Sequence, residues 1–217
     1  MVVKSLFIVD DHDIVRFGLE TLIKHNLQFK LCGTASTLAS ALEAVAKLKP
    51  DLLVTDMSLP DSQGLGTVRA LVQAQSPRPL VVLSMHDELI YAEQVLNLGA
   101  QGYLMKEHAH ALLMQVAQAV LAGERWVSPK VSEQLLNRLL ARRNRSDGSL
   151  ETPKLQASMS MREVQVLEKI GTGKTTKEIA FSLSLSPRTV DVHRANIKKK
   201  LNLRSGTELV AYAVSRL

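Results

Sequence analysis

The sequence predicts an α/β domain, a doubly wound sheet of five parallel strands, followed by a small all-α domain. Three observations carry this. Short apolar runs alternate with helical patterns five times in the first 122 residues, the signature of βαβ units. From Ser160 onward every patterned segment has helical period. The net charge of +6 lies wholly in residues 151–217, where twelve Lys/Arg face six Asp/Glu, whereas residues 1–150 hold fifteen of each.

The apolar runs are Leu6–Val9, Phe29–Thr34, Leu52–Thr55, Leu80–Leu83 and Gly102–Leu104. Helical patterns fill the gaps near 13–25, 37–48, 65–75, 88–98 and 109–122. Residues 1–122 thus form one domain. Beyond Gly123 the period changes. Ser128-Pro129 starts a helix through Leu140, and SDGSLETPKLQASM has the Ser/Pro/Gly content of a linker, so 123–158 connects the domains. The second domain, 159–217, opens on Ser160-Met161-Arg162-Glu163, a capping box, and its first helix ends at Gly171 and Gly173. A short helix follows over about Thr176 to Leu183. Ser186-Pro187 then caps a helix running to about Leu201, and a last helix covers 205–216. On that last helix Leu209, Tyr212 and Ala213 read as an exposed self-association stripe. Met57, Met85, Met105 and Met114 read as core filler.

Composition excludes several classes. No apolar run approaches a membrane span, the N-terminus lacks a signal-peptide cleavage pattern, and Cys32 is alone. These features suit the cytoplasm and no membrane partner. The stretch IGTGKTTKEIA imitates a phosphate loop, but G-x-x-x-x-G-K-[ST] needs a strand and a first glycine where Glu168 stands within a helix. It is a turn between helices. The concentrated basic charge points to a polyanion.

Chemistry gathers at the strand ends. Asp10 and Asp11 follow the first strand, and Asp56 follows the third in LLVTDMSLPDSQG. In a flavodoxin-like sheet of order 2-1-3-4-5 these two strands are neighbours, and their carboxyl ends border the crevice where ligands bind. Three converging carboxylates repel one another and call for a cation, and oxygen-only ligands favour Mg²⁺. Ser84 ends the fourth strand in VVLSMHDE and Lys106 follows the fifth in GYLMKE. A hydroxyl, an ammonium and a divalent cation around one Asp make a cradle for a phosphoryl group.

These stretches (FIVDDHDIVR, TDMSLPDSQG, VVLSMHD and GAQGYLMKE) resemble the receiver domain of two-component response regulators over residues 5–122. The resemblance implies phosphorylation of Asp56 by a sensor histidine kinase, and Mg²⁺ held by Asp10, Asp11, Asp56 and the Met57 carbonyl. It implies that Ser84 and Lys106 contact the phosphoryl oxygens, and that Tyr103 is an aromatic switch turning inward when the site is occupied. Ser58 and His86, each two residues beyond a pocket residue, would tune dephosphorylation. Such a domain would catalyse only its own phosphoryl transfer and dephosphorylation; the chain is otherwise not an enzyme.

Residues 160–217 are similar to the LuxR-type helix-turn-helix of the NarL/FixJ class, through MREVQVLEKIGTGKTTKEIAFSLSLSPRTVDVHRANIKKKLN. Helical geometry adds to this. Val190, Ile197 and Leu201 form an apolar stripe, and Arg188, Val192, Ala195 and Lys199 lie opposite, flanked by Thr189, Asp191 and Asn196. The lysine run 198–200 suits both phosphate contact and the helix dipole. His193 by itself reads as a packed or capping histidine. With the resemblance, Lys177, Arg188, Thr189, Asp191, Val192, His193, Ala195, Asn196, Lys198 and Lys199 become the expected contacts to double-stranded DNA, made by a homodimer formed on activation. Asp191, an acid on a basic face, is either a dipole partner at the helix N-terminus or a reader of cytosine N4. Two rival readings stay open: an aspartyl-phosphate phosphatase built on Asp11-His12-Asp13, and a phosphorylation-dependent adaptor that does not bind DNA.

Overall fold

A computed structural model describes residues 2–145 and 159–216. The chain divides into two compact units, one of Met1–Glu88 and Ala92–Pro129, the other of Leu89–Tyr91 and Lys130–Leu217. Most of the linker motif, residues 146–158, lies outside the described residues.

The first unit carries five parallel strands, β1 (Lys4–Val9), β2 (Phe29–Ala35), β3 (Leu52–Asp56), β6 (Leu80–Ser84) and β7 (Gly102–Met105), in the order β2-β1-β3-β6-β7. Strands β3 and β6 are buried along their whole length and are apolar up to their carboxyl ends, as suits strands covered on both faces. Leu6, Ile8, Leu52, Val54, Val81 and Leu83 are fully buried on one side with Leu113, Val116 and Val120. The covering helices are α1 (Asp13–Lys24), α2 (Leu38–Leu48), α3 (Leu65–Gln75), α4 (Glu88–Asn97) and α5 (Ala109–Leu121). Each strand and helix falls within two residues of its sequence-derived range. The pattern missed a small antiparallel hairpin, β4 (Ser58–Leu59) with β5 (Ser62–Gln63). In its turn Asp61 accepts hydrogen bonds from Leu38 N and Ala39 N (2.7 and 3.0 Å), fastening the start of α2.

Register places the chemistry. Val9 pairs with Thr55, Asp56 with Leu83, and Ser84 with Met105. Asp10, Asp56, Ser84 and Lys106 therefore stand at the carboxyl ends of four adjacent strands, along one edge of the sheet.

The second unit is helical: α6 (Pro129–Arg145), α7 (Met161–Gly171), α8 (Thr176–Leu183), α9 (Pro187–Lys200) and α10 (Gly206–Arg216). Helix α6 runs five residues past its expected end. The capping box is present at Ser160 and Glu163, a second joins Thr175 and Glu178, and Ser186 caps α9 with Pro187 in the first turn. Gly173 has φ +75°, the left-handed turn that separates α7 from α8 and leaves no phosphate loop. Val164, Leu167, Ile170, Ile179, Val190, Ile197, Leu209 and Ala213 form the core. Two of these correct the expectation for the last helix. Leu209 and Ala213 face inward, because α10 packs on α7, and Tyr212 is half-buried. The apolar residues that α10 exposes are Val210, Ala211 and Val214.

Glu163 does more than cap. Its Oε2 also takes Lys200 Nζ at 2.6 Å, tying the end of α9 to the start of α7. Burial pushes this carboxyl up, but Lys200 and Ser160 outweigh burial and hold it below the ordinary glutamate value. A carboxylate lowered on folding stabilises the unit above its unfolded pKa, and that contribution fades as pH falls through the folded value.

Candidate functional site: an acidic pocket and a basic helix

Asp10 and Asp56 are buried at the sheet edge, and Lys106 joins them: Nζ lies 2.7 Å from Asp10 Oδ2 and 2.6 Å from Asp56 Oδ2. The second Asp56 oxygen, Oδ1, accepts from Met57 N (2.6 Å) and Ser58 N (3.2 Å). Burial pushes the Asp56 carboxyl above its ordinary range, and Lys106 only partly offsets this. Burial works against the Lys106 charge too, but its bonds to Asp10 and Asp56 prevail and raise its pKa. One ammonium thus answers three carboxylates, Asp10, Asp11 and Asp56, an imbalance of two charges. That is the charge of a divalent cation. One ligand atom from each of Asp10, Asp11, His12 and Asp56 can lie within 4.8 Å of all the others, so the residues present fit such an ion.

Around this centre Ser84 is buried and its Oγ accepts from His86 N (3.0 Å). His86 is buried as well, and its Nε2 meets Ser58 Oγ at 3.0 Å. The two residues expected to tune dephosphorylation are bonded to each other. Tyr103, expected as the aromatic switch, has its ring on the inner side. Its ring is buried, its hydroxyl donates to the His86 carbonyl at 2.8 Å, and burial pushes the phenol pKa up. Met57 is fully buried, whereas Met85, expected in the core, is 70% exposed beside Ser84. Its neighbours point it outward, since Ser84 and His86 both turn into the site.

In the second unit α9 buries Val190 and Ile197 and turns Arg188, Asp191, Val192, Ala195, Asn196 and Lys199 to solvent. Leu201 is half-buried, as are His193 and Lys198, and Lys177 on α8 is exposed. Val192 is 53% exposed among polar neighbours, the kind of apolar contact that suits a thymine methyl. Two residues of this helix hold bonds within the unit. The Thr189 hydroxyl lies 2.7 Å from Ser186 Oγ, inside the helix cap, and Lys200 is held by Glu163.

Comparison with known proteins identifies both halves. Residues 6–118 match the family model described as Response regulator receiver domain, and residues 157–213 match Bacterial regulatory proteins, luxR family. This chain is a response regulator. It is 31% identical to the oxygen regulatory protein NreC of Staphylococcus carnosus (strain TM300) over 98% of this chain and 97% of the relative. It is 32% identical to NreC of Staphylococcus aureus (strain MRSA252) over the same shares. Among solved structures, RcsB from Salmonella enterica serovar Typhimurium, bound to promoter rprA with the phosphomimetic BeF3-, shares the fold. That match has TM-score 0.72 and 22% identity, covering 98% of this chain and 99% of that one.

The regulator carries its phosphoacceptor fold and its LuxR-type DNA-binding fold in that order. Neither family model is an enzyme of turnover, and this removes the phosphatase reading. Two further features stand beside the pocket. One is His12, which faces the acids. The other is a pair of exposed apolar side chains one turn apart on α1, Ile14 (82%) and Phe17 (71%). A helical wheel shows that Leu19 and Ile23 fill the core face of α1, which leaves Ile14 and Phe17 on the other side. No helix among the described residues is long and apolar enough to cross a membrane.

Proposed function

We propose that this response regulator is a cytoplasmic transcription factor switched by phosphorylation of Asp56. The observation that carries the reading is the Asp56 carboxylate, buried at the sheet edge with Lys106 at 2.6 Å and Asp10 beside it. The phosphoryl group passes from a phosphohistidine of a sensor histidine kinase. The P–N bond breaks and a P–O bond forms to Asp56, with hydrolysis later returning phosphate. Ile14 and Phe17 give the donor an apolar surface at the rim. Asp10, Asp11, Asp56 and Met57 would hold Mg²⁺, which when bound neutralises charge on the phosphoryl oxygens. Lys106 and the Ser84 hydroxyl contact those oxygens.

Phosphorylation adds about two negative charges beside Lys106. In moving to donate its O–H to the phosphoryl group, Ser84 draws its Oγ away from His86 N, which now donates to it. This disturbs the 84–86 turn, on whose carbonyl Tyr103 rests, and the surface from 84 to 106 rearranges to favour a homodimer. Residues 1–122 form the receiver, 123–158 the connection and 159–217 the DNA-binding domain. There α9 lies in the major groove of double-stranded DNA. Arg188, Asp191, Val192, Ala195 and Asn196 read bases, while Lys177, Lys198 and Lys199 meet phosphates. Thr189 and His193 set the helix start and its flank. On DNA the dimer face of α10 is Val210, Ala211 and Val214. A mobility-shift titration with genomic fragments tests the reading. Retarded complexes that strengthen with acetyl phosphate support it, and no retardation with or without phosphodonor returns the chain to the adaptor reading.

Ser58→Ala and His86→Ala should leave phosphorylation possible and speed its decay several-fold. Each breaks the 3.0 Å Ser58–His86 bond, and the second also removes a buried ring from the path of water. Decay of the labelled protein measures this; unchanged rates in both variants would remove the tuning role.

Asp191→Ala should relax preference at one base pair by about 1–3 kcal/mol while non-specific binding holds or strengthens. Selection from a site library at fixed salt measures the effect. If the base preference is unchanged, Asp191 serves the helix dipole instead.

A further inference from the structure

We propose that residues 125–127 are a strap held on the outer edge of β7 while Asp56 is unphosphorylated, and that phosphorylation opens the strap and releases the chain just before α6. The inference rests on the reading of Asp56 as the phosphoacceptor.

Strand β7 is the last of the sheet, and a bare end strand offers its N–H and C=O groups to any passing backbone. Here the chain covers part of that edge itself. After α5 the backbone turns at Gly123, with φ +92°, and comes back beside β7. Trp126 N donates to Gln101 O at 2.9 Å, Tyr103 N donates to Trp126 O at 3.1 Å, and Trp126 forms a parallel bridge with Gly102. The half-buried indole packs against the apolar core of the first unit. Gly102 leaves room for this approach: a Cβ there would meet Val81 Cγ2 at 3.1 Å and Trp126 O at 3.5 Å. The strap is a sixth strand reduced to one bridge.

Hydrogen bonds join it to the pocket. His86 N donates to Ser84 Oγ (3.0 Å), the Tyr103 hydroxyl donates to the His86 carbonyl (2.8 Å), and Tyr103 N donates to the strap. Tyr103 thus ties the turn that a phosphoryl group disturbs to the segment that leads into α6. The two pairings of β7 differ in strength. On its inner side four residues, Gly102 to Met105, pair with β6, whereas the strap holds through two backbone bonds at one residue. When the 84–86 turn moves and Tyr103 follows it, the strap is the pairing that gives way. Helix α6 starts at Pro129, so the freed residues lengthen the tether between the receiver and the DNA-binding half.

Trp126 is the single tryptophan of the chain, so its fluorescence reports the strap alone. The experiment uses the full chain with and without acetyl phosphate and Mg²⁺, and intact mass gives the extent of phosphorylation. On phosphorylation the Trp126 and Tyr103 amides, followed by NMR, should exchange at least about tenfold faster, while amides of β1 and β3 keep their rates. Trp126 emission should shift to longer wavelength as the indole meets water. Tyr103→Phe keeps the ring and removes its bond to His86. Compared at equal phosphorylation, its Trp126 amide should no longer respond. Phosphorylated wild type with unchanged Trp126 exchange overturns the strap and leaves Asp56 as the phosphoacceptor. A full response in Tyr103→Phe overturns the route through Tyr103. A wild-type chain that gains no phosphoryl mass overturns the reading of Asp56 and the strap's regulation with it.

Discussion

Asp56→Asn should abolish labelling by acetyl phosphate in the presence of Mg²⁺. The amide is nearly isosteric, so the fold survives, and its oxygen can still face Lys106. What is lost is the nucleophile. An amide oxygen forms no stable acyl phosphate, and Asp10, though equally close to Lys106, stands on the neighbouring strand. Asp56 alone combines burial at the end of β3 with two backbone donors, Met57 N and Ser58 N, that fix one carboxylate oxygen and leave the other directed at the ammonium. Mass spectrometry of the intact chain measures the outcome. Asp56→Asn that gains a phosphoryl group as readily as wild type would move the phosphoacceptor elsewhere.

Ile197→Ala should abolish DNA binding without touching the phosphoacceptor. Ile197 is fully buried in the C-terminal half of α9, in a domain of about 60 residues. Cores of that size rarely supply more than about 3–5 kcal/mol. Truncating a buried Ile costs about 2–5 kcal/mol, which is the whole margin. The recognition helix loses its seat, and retarded DNA complexes should disappear at growth temperature. Labelling of Asp56 should continue at the wild-type rate, because the parallel sheet belongs to the other unit. A thermal melt in which the C-terminal transition is unchanged would show that Ile197 is not part of the core that holds α9.

The strand ends were legible in the sequence because a parallel sheet turns all its carboxyl ends to one edge. A run such as LLVTD needs only its length and its terminal acid to place Asp56, and VVLS and GYLMK place Ser84 and Lys106 likewise. Helix starts were legible where a hydroxyl and a Glu stand three residues apart, as at Ser160. The α10 face was not, because residues 209–214 are apolar without a break and period alone selects no side; packing on α7 selects Leu209 and Ala213. The two-residue strands β4 and β5 are too short to carry a period. The inward ring of Tyr103 and the direction of Met85 depend on one hydrogen bond and one turn, neither of which has a sequence signature. The bond between Ser58 and His86 joins positions 28 residues apart, which spacing along the chain does not reveal.

The central claim is that chemistry at Asp56 governs where the basic helix binds. Genome-wide mapping of DNA bound by the purified chain, with and without acetyl phosphate, tests it most directly, using wild type and Asp56→Asn side by side. The account predicts paired half-sites about one helical turn apart whose occupancy rises with phosphodonor in wild type and stays at the basal level in Asp56→Asn. Equal occupancy of the same sites by both proteins, whatever the phosphodonor, would contradict it.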